Sequence, residues 1–107
     1  MANILIEKST SGSLSSDYTY TTNFSTRVKV SRISIHFSSD YNKTVTLTLD
    51  SSKGSNYDVV VYAQKIKNGD DFVLFQDIVL SAGDELKLDI EAKSGVTAYI
   101  SVMGEHI

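Results

Sequence analysis

From Thr26 to Asp50 the chain alternates apolar and polar residues with a period of two, and no other feature restricts its fold as tightly. Val28 and Val30 share one parity, and Ile33, Ile35 and Phe37 share the opposite one. After Ser38-Ser39-Asp40-Tyr41-Asn42-Lys43 come Val45, Leu47 and Leu49, spaced by Thr46 and Thr48. Period two sends successive side chains to opposite faces of an extended backbone, so the stretch reads as a long strand, a tight connection and a second strand. The parity changes between Val30 and Ile33. In an unbroken strand that change would turn one apolar set to water, so we expect a β-bulge or bend at Ser31-Arg32, where one extra residue restores the register.

The same reading extends along the rest of the chain. Ile4, Leu5 and Ile6 suggest a short first strand, and the small polar residues from Ser9 to Ser16, with Leu14 as their one apolar anchor, suggest a flexible loop. Residues 1–16 are therefore expected to be an N-terminal strand and serine-rich arm, and residues 17–107 the folded domain. Tyr18 and Tyr20 alternate with threonines as a second strand. Val59-Val60-Val61 lacks alternation, as a strand covered on both faces or lying near an interface would. Asn68-Gly69 favours the positive φ of a hairpin turn. Phe72 to Phe75 and Ile78 to Leu80 are two apolar runs divided by Gln76-Asp77. Leu86, Leu88 and Ile90 alternate with charged residues, and Val96, Ala98, Ile100 and Val102 share one side of a final strand. Five of the six glycines fall between these strands, Gly104 being the exception.

Nowhere do apolar residues recur at three-and-four spacing over three turns, so no helix is expected. About eight short strands with turns between them imply an all-β, antiparallel β-sandwich or jelly roll. The chain has no proline, one of the usual means of blunting a sheet edge. Its edges must then be guarded by charge or covered by another subunit.

Chemistry is sparse. At 107 residues there is room for one core. The net charge of -3 and the thin basic set Arg27, Lys29 and Arg32 argue against a phosphate-tracking surface, so no nucleic-acid partner is expected. Without cysteine there are no disulfides, thiol nucleophiles or thiolate metal sites. No segment approaches the roughly 20 apolar residues of a membrane span, and Met1 to Glu7 is unlike a signal peptide, so synthesis in the cytoplasm is expected with no membrane partner. His36 and His106 lie far apart in sequence, and a role for His36 would need a carboxylate brought near by the fold. Asp70-Asp71 and Asp84-Glu85 follow glycines without the alternating spacing of a calcium loop, which reads as turn chemistry. There is no Gly-x-Ser-x-Gly elbow. We therefore expect neither an enzyme nor a cofactor or metal. The six tyrosines are the best candidates for a contact surface, since each joins apolar area to a polar tip. Candidate partner contacts are Ile4, Leu5, Ile6, Tyr18, Tyr20, Tyr41 and Tyr57, and a carbohydrate- or receptor-binding module built on tyrosines is the alternative use.

Tyr20 to Val30, Ile33 to Ser38, Thr44 to Asp50, Tyr57 to Val61 and Ala82 to Leu88 together resemble small β-sandwich structural proteins encoded by tailed bacteriophages. That resemblance implies a non-enzymatic structural protein of the virion, made in the host cytoplasm. It would be a capsid decoration or auxiliary protein on the outside of the head, with a head-tail or tail protein as the next possibility. It further implies a homo-oligomer, a trimer for example, with capsid or tail proteins as partners. In that role the residue 1–16 arm would order on docking, anchored by Ile4, Leu5 and Ile6.

Overall fold

A computed structural model describes residues 4–51, 54, 59–67 and 70–107, with the backbone alone for residues 4–6 and 59. The described residues contain eight strands and no helix: β1 (Ile4–Ser13), β2 (Tyr18–Asn23), β3 (Val28–Phe37), β4 (Thr44–Asp50), β5 (Val59–Lys65), β6 (Phe72–Leu80), β7 (Glu85–Ile90) and β8 (Thr97–His106). They form two four-stranded sheets, ordered β1-β8-β3-β6 and β2-β7-β4-β5, in which every pairing is antiparallel. Every connection except β4 to β5 crosses from one sheet to the other. This is the order of a jelly roll.

Alternation selects the layers. On β3 the buried residues are Val28, Val30, Ile33, Ile35 and Phe37; on β7, Leu86, Leu88 and Ile90; on β8, Ala98, Ile100 and Val102. Val45 and Leu47 of β4 and Phe72, Ile78 and Leu80 of β6 meet them between the sheets. Each fully buried aliphatic or aromatic side chain contributes ~1.5–3 kcal/mol relative to exposure. The molecule measures 38 × 33 × 20 Å. The short dimension is that of two sheets packed about 10 Å apart with their outward side chains.

The parity break in β3 is a bulge. Val30 pairs with Gly104 and Arg32 with Met103, which leaves Ser31 without a partner on β8. Against β6 the same step runs from Val30↔Ile78 to Arg32↔Phe75, so Gln76 and Asp77 lie opposite Ser31 and the two apolar runs belong to one strand. The inserted residue brings the backbone of Lys29 and Val30 close against β8. A Cβ at Gly104 would lie 2.4 Å from the Lys29 carbonyl oxygen and 3.0 Å from the Val30 Cα. That approach explains the glycine inside β8; Gly12 also falls within a strand, near the end of β1, and not between strands as expected.

Several expectations change. The serine-rich part of the residue 1–16 arm is not a flexible loop, because Ile4 to Thr10 pair in register with Glu105 to Tyr99, and Ser13 pairs with Thr97 beyond an irregularity. Its small hydroxyl residues read as loop because they occupy an edge strand with little to bury. Leu14, fully buried, exchanges backbone hydrogen bonds with the β7–β8 connection, its N–H donating to Val96 O (2.8 Å) and its carbonyl accepting from Lys93 N (2.9 Å). The segment around Asn68-Gly69 does not close a hairpin, since β5 pairs with β4 and β6 with β3; those two residues themselves lie outside the described set. The turns at Gly83 (φ 88°) and Gly95 (φ 82°) hold as read. In the first, Ser81 N–H donates to Asp84 Oδ2 at 3.0 Å, the turn role expected of that carboxylate.

Candidate functional site

The candidate contact residues do not come together. Tyr20 and Tyr41 are core residues, 6% and 0% exposed, and so cannot meet a partner. Tyr41 stacks on Phe37 with ring centroids 4.1 Å apart, and its hydroxyl donates to Glu91 O at 2.6 Å, tying the β3–β4 loop to the end of β7. Burial, then the nearby Glu91 charge, pushes the phenol well above its ordinary range. Tyr20 donates to Glu7 Oε1, and Thr22 Oγ1 donates to Glu7 Oε2 at 2.9 Å. Glu7 thus ties edge strand β1 to edge strand β2 across the gap between the sheets. Burial first, and the hydrogen bond to Glu7 second, raise the Tyr20 phenol strongly. Tyr18 is half-buried against the core. Ile4, Leu5 and Ile6 are placed by backbone alone, opposite Glu105, Gly104 and Met103, and Tyr57 lies outside the described residues.

The surface that pattern reading missed is the opposite edge of the sandwich, where β5 and β6 end their sheets. Phe75 is 74% exposed and Val60 62%, with Val79, Val73 and Tyr62 also open. Phe75, Val73 and Val79 lie on the outward face of β6, opposite Arg32, Ser34 and Lys29. The ring of Tyr62 lies 5.9 Å from that of Phe72 and marks the seam between the sheets. β5 carries its own bulge, with Val61 unmatched between Leu47↔Tyr62 and Thr48↔Val60. From Val59 to Gln64, and from Phe72 to Phe75, this edge has no charged residue. Lys65 and Asp77 are the charged residues of the two strands, and large apolar side chains along a proline-free edge of this kind suit a contact surface. The clue in the sequence was the unalternating Val59-Val60-Val61, read as a strand covered on both faces or near an interface, of which Val60's exposure excludes the first, and the parity of Phe72 to Phe75, which sends half the run outward.

A second feature lies on the outer face of the β1-β8-β3-β6 sheet, a hollow of about 650 Å³. Pairing aligns Lys8, Ser101, Ser34 and Val73 in one row across it. The next row holds Thr10, Tyr99 and His36, and the row on the other side Met103, Arg32 and Phe75. Two serines in the middle row leave the depression, and the longer side chains around them make its walls. The fold does bring a carboxylate to His36: Nδ1 lies 3.0 Å from Asp71 Oδ1, and the imidazole stacks on Tyr99 at 6.4 Å between centroids. Both members of the ion pair are well exposed, which makes it a surface pair of small energetic weight. A smaller cleft at one end of the other sheet gathers Asp17, Asp89 and Glu91 beside Thr19, Thr44 and Thr46. These carboxylates also serve the structure, accepting from Ala92 N (2.8 Å), Thr19 Oγ1 (2.7 Å) and Thr44 N (3.1 Å).

No protein-family model matches the chain, and no curated protein does. Among solved structures it resembles the Drosophila NLP core, whose crystal structure gives insight into pentamer formation and histone binding. The TM-score is 0.54 at 13% identity, over 95% of this chain and 97% of that one. At that identity the likeness establishes the shared fold.

This finding corrects the expected virion role. The stretches that carried the phage resemblance are alternating strands, and the NLP core shares the fold they build along 97% of its length. Patterned strands report a sandwich and not its setting. The capsid decoration role is withdrawn with its head-tail, carbohydrate- and receptor-binding alternatives, as are the capsid or tail partners and the virion location. A homo-oligomer remains compatible, with five copies in the neighbour in place of the three suggested above.

Proposed function

We propose that this chain is a non-catalytic assembly module whose jelly-roll units join through the β5–β6 edge into a homo-oligomeric ring that holds a basic protein. The observation that carries the reading is the β5–β6 edge, with Phe75 and Val60 standing 74% and 62% exposed. Burying a side chain of that kind contributes ~1.5–3 kcal/mol, and each ring contact repeats it. Pentamer formation in the structural neighbour supports a ring. The neighbour's histone binding supports a basic partner, for which the Asp17, Asp89 and Glu91 cleft offers negative potential.

Sedimentation velocity tests the assembly. The unaltered chain should sediment as a single oligomer and Phe75→Glu with Val60→Glu as a folded monomer; a chain that is monomeric at tens of micromolar refutes the ring. Anisotropy with a labelled lysine-rich histone-tail peptide tests the partner. Binding that weakens with salt and with Asp89→Asn and Glu91→Gln is expected, and no binding at low salt removes the partner from the reading.

A further inference from the structure

We propose that the hollow on the outer face of the β1-β8-β3-β6 sheet is a binding site for a small ring-bearing phosphate ester, a ligand class separate from the protein contacts above. The argument begins with the floor. Ser34 and Ser101 are directly paired on the two central strands, so the outer face is lowest at the middle of the sheet, and two hydroxyls face the opening. Lys8 lies one strand from Ser101 along the same row, and Arg32 one outward position from Ser34 along β3. With strands about 4.8 Å apart and outward positions about 6.8 Å apart, both long cations reach the floor. Among the described residues neither Lys8 nor the two serines is bonded to another side chain, so these donors are free for a ligand.

The lining carries two fixed cations, Lys8 and Arg32, against one carboxylate, Asp71, whose oxygens are engaged by His36 at the corner, so positive charge prevails over the floor in a chain of net charge -3. Arg32 is steadied by the Phe75 ring, its guanidinium carbon 5.4 Å from the centroid, so little order is lost when it binds. A guanidinium fork, an ammonium and two hydroxyls offer more donors than a carboxylate's two oxygens can use, and they suit the three terminal oxygens of a phosphate monoester. Tyr99, propped by His36, and Val73 form apolar walls at opposite corners of the floor, and the phenol ring gives a stacking face for the ligand's ring. The volume lies within the ~300–1,000 Å³ of small-molecule sites.

The test is isothermal titration of the full chain with 4-nitrophenyl phosphate, orthophosphate and 4-nitrophenol in parallel. The ester should bind saturably, and each half should bind about tenfold or more weakly, as loss of a charge-assisted hydrogen bond or of the stacking face implies. Arg32→Ala should lower ester affinity about tenfold or more. Ser101→Leu fills the floor from its outer side and should abolish binding while leaving the melting temperature in place; Tyr99→Ala, at the more exposed position, gives a second reading on a variant that keeps the floor open. Absence of saturable ester binding by the unaltered chain overturns the proposal. So does ester binding undiminished in Ser101→Leu or in both Arg32→Ala and Tyr99→Ala.

Discussion

Replacing Gly104 by alanine should destabilise this protein, although glycine in a strand is ordinarily a weakness. An ordinary Gly→Ala change in extended backbone gains ~0.4–1 kcal/mol by restricting the unfolded chain. Here the new methyl would meet backbone on the inward face of β8, 2.4 Å from Lys29 O and 3.0 Å from Val30 Cα, against optimal carbon separations of about 3.5–4.0 Å. Neither neighbour can rotate away as a side-chain tip would, because both are held in the β3 ladder beside the Ser31 bulge. Overpacking of this kind costs ~1–3 kcal/mol; at the middle of that range, about 2 kcal/mol, and less the ~0.4–1 kcal/mol gain, the net loss is about 1–2 kcal/mol. At about 4–8 °C per kcal/mol for a domain near this size, the melting temperature should fall by about 4–16 °C. Circular dichroism melts at one fixed protein concentration read this directly, since assembly makes the midpoint concentration-dependent. An unchanged or raised midpoint would refute the close approach of the bulge to β8.

Deleting Ser31 should leave the chain folded, because without the extra residue Val28, Val30, Ile33, Ile35 and Phe37 all share one parity; loss of the cooperative melt would contradict Ser31 as the inserted residue. Tyr41→Phe removes the buried donor to Glu91 O and should cost about 1–3 kcal/mol in urea denaturation. Stability should fall as pH rises past about 10, because the Tyr20 and Tyr41 phenols are raised in the fold relative to the unfolded chain. The neutral phenol is the form the fold favours, so this contribution is complete below the unfolded pKa and is lost as pH climbs through the folded one; Tyr20→Phe should flatten the alkaline limb, and a limb identical to the unaltered chain's would count against it.

Much of the fold was legible because alternation and burial are the same fact viewed twice. Val28 to Phe37 announced a bulge at Ser31-Arg32, and β7 and β8 face the core as their parity requires. What escaped depends on contacts between distant segments. The serines and threonines of β1 pack little of their own, so their strand exists through pairing with β8, which no local pattern shows. Tyr41 looked like a loop aromatic available to a partner, and it is buried because the loop folds back over Phe37 and Glu91. The floor of the hollow needs Ser34 and Ser101 side by side, a register fixed only once β3 and β8 pair. The phage resemblance failed for a related reason: it rested on strand patterning that jelly rolls in different settings share.

Native mass spectrometry of the unaltered chain at low micromolar concentration bears most directly on assembly through the β5–β6 edge. The proposal predicts one closed stoichiometry that collapses to monomer in Phe75→Glu, with the fold retained. A monomeric spectrum for the unaltered chain, or an oligomer untouched by that substitution, would contradict it.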